Sequence, residues 1–156
     1  MSLDDRDIGV LIARLIGKYG SLDDPQFEFV EEDFDGEDGR KYLAMFNELG
    51  EIDEDTDIND DVSFGYLIKC DACQFYVRIS MIKPYAFVRN LADRSFLHAE
   101  NRGTSECSRR LVDLLIAKGL VVLGKDDLMR TVPLRIDGEE QVSIFRALFT
   151  DSYFYS

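Results

Sequence analysis

Ile8, Leu11, Ile12, Leu15, Ile16 and Tyr19 recur at steps of three and four residues, which puts all six on one face of a helix. Ser2 can cap its start, acids fill the first turn, and Gly20 can end it. Residues 26–30 read as a short strand, and Asp35-Gly36 and Asp38-Gly39 read as turns. A second helix then runs to about Leu49, with Tyr42, Met45, Phe46 and Leu49 on one stripe and Gly50 after it.

The clearest strand pattern follows. Phe64, Tyr66, Ile68 and Cys70 alternate with Gly65, Leu67, Lys69 and Asp71, and Cys73, Phe75, Val77, Ile79 and Met81 alternate in turn. A hairpin turn at Asp71-Ala72 pairs 70 with 73, 68 with 75, 66 with 77 and 64 with 79. Every pair then lands on the same apolar face. Asp-Ala is a poor turn if Ala must take a positive φ. Residues 84–100 fit either a helix opened by Pro84 or a strand carrying Tyr85 and Phe87.

A third helix begins at a Thr104 or Ser105 cap, carries Cys107, Leu111, Leu114 and Leu115 on its stripe, and stops at Gly119. Residues 120–123 and 128–136 read as a hairpin around a polar turn, with Pro133 placing the second strand at an edge. Asp137-Gly138 turns into a last helix with Val142, Phe145, Leu148 and Phe149 inward. Helices and antiparallel hairpins mix without a βαβ rhythm. The expectation is a single α+β domain over residues 1–156, with β-hairpins packed against about four helices.

Composition changes this picture little. A chain of 156 residues can bury a real core, and 46% hydrophobic content offsets the net charge of −13 that would otherwise suggest disorder. No apolar run reaches the roughly 18 residues of a membrane span. The acidic N-terminus lacks the basic start of a secretory signal, and three cysteines argue against a closed disulfide framework. A reduced, cytoplasmic protein is expected. Charge placement is more telling: residues 1–61 hold 20 acidic and 5 basic side chains, and the remainder is nearly balanced. Such a field repels nucleic acid and attracts basic partners.

The acidity peaks in EIDEDTDINDD, residues 51–61, which carry seven carboxylates and no cation. Asp53, Asp55 and Asp57 imitate the first ligands of a calcium-binding EF-hand loop, but that loop needs Gly at its sixth position and Glu at its twelfth. Ile58 and Phe64 stand there, and a frame begun at Asp55 fails at Asp60 and Tyr66. So many like charges cannot be buried together, so the stretch is expected to be a solvent-facing loop. Cys70, Cys73, His98 and Cys107 could form one Cys₃His zinc set, yet their spacing lacks a second ligand pair, and the hairpin and helix patterns make the cysteines core residues. No metal and no cofactor are expected.

The run TSECSRRLVDLLIAKGLVVLGKDDLMRTVPLRI, residues 104–136, resembles the last helix and wing of a winged-helix DNA-binding domain. The resemblance implies that Arg109, Arg110, Lys125 and Arg130 would meet phosphates. There is one His, no G-x-S-x-G and no phosphate loop, so no catalytic activity is expected. In character, being small, acidic and without catalytic motifs, the chain resembles immunity proteins and antitoxins that neutralise basic, nuclease-type toxins. That resemblance implies a basic protein partner; the absence of a long apolar run speaks against a membrane, and the acidic field disfavours nucleic acid, with DNA binding through residues 104–136 the alternative. The candidate partner-binding residues are Asp33, Asp35, Glu37, Asp53, Glu54, Asp55, Asp57, Asp60 and Asp61.

Overall fold

Asp4, rather than Ser2, starts the first helix. In the computed structural model, which describes residues 2–151, the Asp4 carboxylate accepts the Asp7 N–H at 2.8 Å and the Asp7 carboxylate accepts the Asp4 N–H at 3.0 Å. This reciprocal box satisfies two otherwise orphaned donors and opens α1 (Asp5–Tyr19), which ends at Gly20 with φ +81°. Leu11, Leu15 and Tyr19 are its buried residues.

Residues 26–30 do not form a strand. Phe27 and Phe29 both set their rings edge-on against Tyr19, with centroids 5.3 Å away in each case, and the chain coils into α2 (Phe29–Phe34). Packing against α1 gives this short segment its partner in place of a sheet edge. α3 (Asp38–Phe46) follows, close to the expected second helix.

The predicted hairpin is present in its predicted register. β2 (Ser63–Cys70) and β3 (Cys73–Ser80) pair antiparallel, with Phe64 opposite Ile79, Tyr66 opposite Val77, Ile68 opposite Phe75 and Cys70 opposite Cys73. The positive φ of the turn falls on Asp71 (φ 55°), a residue type that tolerates it. β4 (Tyr85–Asn90) and β5 (Phe96–Leu97) extend the meander, which settles the ambiguous stretch as strand. On the other side β1 (Glu51–Glu54) pairs antiparallel with β2 and forms the edge of the sheet.

Downstream the expected wing is absent. α4 (Glu106–Ala117) is capped by Ser105, whose hydroxyl accepts the Ser108 N–H. β6 (Val121–Val122) then runs parallel to β4, beside Tyr85 and Ala86. The short β5 leaves that half of the β4 edge open, and the two valines fill it. Residues 125–129 form a helix, α5 (Lys125–Met129), with Asp126 and Asp127 in its first turn. β7 (Thr131–Val132) stops before Pro133 and pairs with β8 (Val142–Ser143), and α6 (Ile144–Leu148) follows a Ser143 cap. The fold is therefore α+β with six helices among the described residues, two more than expected, and a mostly antiparallel sheet.

The two sheet faces bury different partners. Phe64 and Tyr66 on one face meet Tyr42 and Phe46 of α3 edge-on. On the other face Phe87 packs against Phe145 and Phe149 at the C-terminal end, with centroids 5.7 and 4.8 Å apart. Tyr19 joins α1 to this end by donating to the Ala147 carbonyl at 2.7 Å, and burial pushes its pKa up, which keeps it a donor. The buried apolar residues form one cluster from Leu3 to Phe149. No helix among the described residues is long and apolar enough to cross a membrane.

Candidate functional site

The acidic stretch is not one loop. Its first four residues are β1, paired with β2 from Glu51 opposite Lys69 to Glu54 opposite Tyr66. Strand pairing solves the problem that made a loop seem necessary, because a sheet edge keeps its carboxylates in solvent while its backbone is half satisfied. Glu51, Asp53, Glu54, Asp55, Asp57 and Asp60 are exposed.

Asp61 is the exception. It is 3% exposed and faces the guanidinium of Arg78, itself 7% exposed, at 2.8 Å. The same carboxylate accepts the Asp57 N–H at 2.8 Å. Asp61 is thus committed inside the protein and corrects the expectation of a fully solvent-facing segment. One pair can be buried where seven like charges cannot, since the cation and hydrogen bonds compensate desolvation.

Asp55, at the other end of the free segment, accepts from the Tyr76 hydroxyl at 2.9 Å, and Arg78 donates to that same hydroxyl. Arg78 also donates to Ser63 Oγ at 3.2 Å. Both ends of residues 55–61 are therefore tied to neighbouring residues of β3. Between them Asp57 accepts the Asn59 N–H at 3.0 Å, which shapes the tip.

The remaining candidates lie on α2 and in the turn between it and α3. Asp33 is half-buried and pairs with Lys18 at 2.6 Å, and Glu37 lies 3.8 Å from Lys41. Asp35 is exposed at the end of α2. Among the described residues no ion pair takes Asp35, Asp53, Glu54, Asp57 or Asp60.

Two hollows flank the acidic segment. One, of about 290 Å³, lies between the α2–α3 turn and β1 and is lined by Phe34, Asp35, Arg40, Glu54, Thr56 and Tyr66. Burial, with Glu54 adding to it, pushes the Tyr66 pKa up, so its hydroxyl stays protonated and donates to the Gly39 carbonyl at 3.0 Å. The other, of about 160 Å³, is lined by Phe27, Ile58, Asp60 and Arg146, among others. Arg146 is held there by Asp137, Glu139 and Asp151. Phe27, Phe34 and Ile58, 44%, 40% and 42% exposed, are three of the eight exposed large apolar side chains among the described residues, and these three line the two hollows. Sequence patterning puts Phe27 in the strand read at residues 26–30 and assigns Phe34 and Ile58 to no element. Ile58 amid acids and Phe34 between two aspartates fit no period, and that misfit was the available signal.

The other candidate groups are placed differently from expectation. Cys70 and Cys107 form a disulfide with Cα atoms 6.1 Å apart, and half-buried Cys73 is left free. The expectation of reduced core cysteines is corrected: the inward stripes of the hairpin and of α4 face each other, which brings these two together. Asp71 is the carboxylate beside the bond, and His98 lies elsewhere, packed against Gly124. Arg109 and Arg110 are exposed on α4 and Lys125 on α5, while Arg130 donates to the Leu3 carbonyl. With no hairpin after α4, these cations do not form a helix-and-wing surface.

No family model, curated protein or solved structure matches the chain. The surface must therefore be read from its own chemistry.

Proposed function

We propose that this chain is a protein-binding inhibitor whose acidic face neutralises a basic protein, in the manner of an immunity protein or antitoxin acting on a nuclease-type toxin. One observation carries the reading: three exposed apolar side chains, Phe27, Phe34 and Ile58, flank a segment of unpaired carboxylates tied down at both ends. Interfaces combine such features. Apolar anchors desolvate at the centre and supply affinity, while the surrounding field steers encounter and excludes wrongly charged partners. Carboxylates can also occupy the phosphate sites of a nuclease.

The experiment is recovery of the partner by pull-down with mass spectrometry, followed by stopped-flow association at two ionic strengths. A basic partner is expected, with an on-rate that falls as salt is added. Replacing Asp53, Asp55, Asp57 and Asp60 by Asn should slow association about tenfold or more at low salt. Equal on-rates for the wild type and this variant would remove the acidic face from the mechanism.

A further inference from the structure

The edge of the sheet has one side unused. Asp55 donates its N–H to the Gly65 carbonyl at 2.8 Å, which fixes the phase of the antiparallel ladder. By alternation Glu51 and Asp53 turn their backbone groups toward β2, and Ile52 and Glu54 turn theirs outward. Among the described residues, β2 is the only element that packs extensively on β1. An open edge of this kind is a template for another strand.

Its charges select the occupant. A second copy of this chain would set Glu51, Asp53 and Glu54 against themselves, and like charges directly opposite are destabilising. A basic strand meets the reverse situation. The geometry also supplies a receptacle: Glu54 lines the 290 Å³ cleft with Asp35 and Phe34, and the cleft's two carboxylates outnumber the one cation there, Arg40. In an antiparallel addition, the residue opposite Glu54 sends its side chain to the same face of the sheet, the face that bears the cleft.

We propose that β1 is a docking edge, to which an extended basic segment of the partner adds as a further antiparallel strand and places an arginine or lysine between Glu54 and Asp35. Main-chain hydrogen bonds from Ile52 and Glu54 hold the segment, and the cleft reads alternate side chains. This rests on the acidic face being the binding face, and it adds the mode of binding.

The test uses a fluorescent peptide of alternating arginine and threonine, read by anisotropy and by amide shifts of the isotope-labelled protein. Binding should weaken with salt and move the Ile52 and Glu54 amides. Backbone N-methylation at the arginines blocks the edge that faces β1. It should weaken binding at least about tenfold, the equivalent of one or two hydrogen bonds. Methylation at the threonines should change binding less than about twofold, because that edge faces solvent. On the protein, Glu54→Pro removes an outward N–H without removing a bond to β2 and should abolish binding, while Glu54→Gln keeps the donor, loses one of the two carboxylates of the cleft, and should weaken binding by less than the proline does. Salt-sensitive binding that is indifferent to both methylation patterns would overturn strand addition and leave the acidic face standing. No salt-sensitive binding of the unmethylated peptide would overturn both.

Discussion

Asp60 and Asp61 are neighbours in sequence and opposites in environment. Asp60 is exposed and Asp61 is shut against Arg78. Removing one partner of a buried pair leaves the other charge uncompensated, so Asp61→Ala should cost about 3–5 kcal/mol in urea unfolding. Asp60→Asn should stay within about 0.5 kcal/mol of wild type. The difference was not legible in the sequence, because both residues belong to one acidic run and the cation lies 17 residues beyond Asp61, on β3. The single histidine offers a second measurement. Burial holds the His98 pKa below its ordinary 6.5, although Glu100, Asp126 and Asp127 pull it upward. The unfolded chain therefore binds the proton more readily than the native one. Stability should be flat above about pH 6.5 as far as this residue is concerned, and fall as pH drops toward the native pKa. His98→Gln should flatten that slope between pH 5 and 7, read as the pH dependence of the unfolding midpoint.

Elements with a long period are legible from the sequence. The β2–β3 register follows from alternation sustained over eight residues on each strand, since a slip of one residue would turn Phe75 and Val77 outward. The α1 and α4 stripes are similarly redundant. Two-residue strands carry no period at all. Val121–Val122 finds its place because β4 has an open edge there, and Thr131–Val132 because Val142–Ser143 lies alongside, both facts of tertiary structure. The disulfide belongs to the same class. Cys70 and Cys107 each sit on an inward stripe, but neither stripe says which other stripe it meets. A direct check is thiol counting: one reactive thiol, Cys73, in the unreduced protein and three after reduction in denaturant. Losing the Cys70–Cys107 link should lower stability by about 2–4 kcal/mol. Three thiols without reduction would remove the bond from the native state.

At the scale of the whole molecule the net charge of −13 is a property of one region, and the distribution of charged residues along the chain is enough to show it. That distribution does not reveal that part of the region is a sheet edge, or that apolar side chains stand beside it. The fourfold variant at Asp53, Asp55, Asp57 and Asp60 should fold as well as wild type or slightly better, because it relieves repulsion among exposed carboxylates. A loss above about 1 kcal/mol would mean that these side chains hold the fold, beyond what exposed surface positions ordinarily contribute. The sulfur bond between α4 and the hairpin also has a topological consequence. It closes a covalent ring over the stretch from Cys70 to Cys107, and exposed Arg94 lies within that ring, at a turn between β4 and β5. A single tryptic cut after Arg94 would open the ring without releasing a fragment. The nicked chain should run as one band on a gel without thiol and as two once thiol is added, so that a protein already cut between two strands of its sheet could still travel, and be purified, as one molecule.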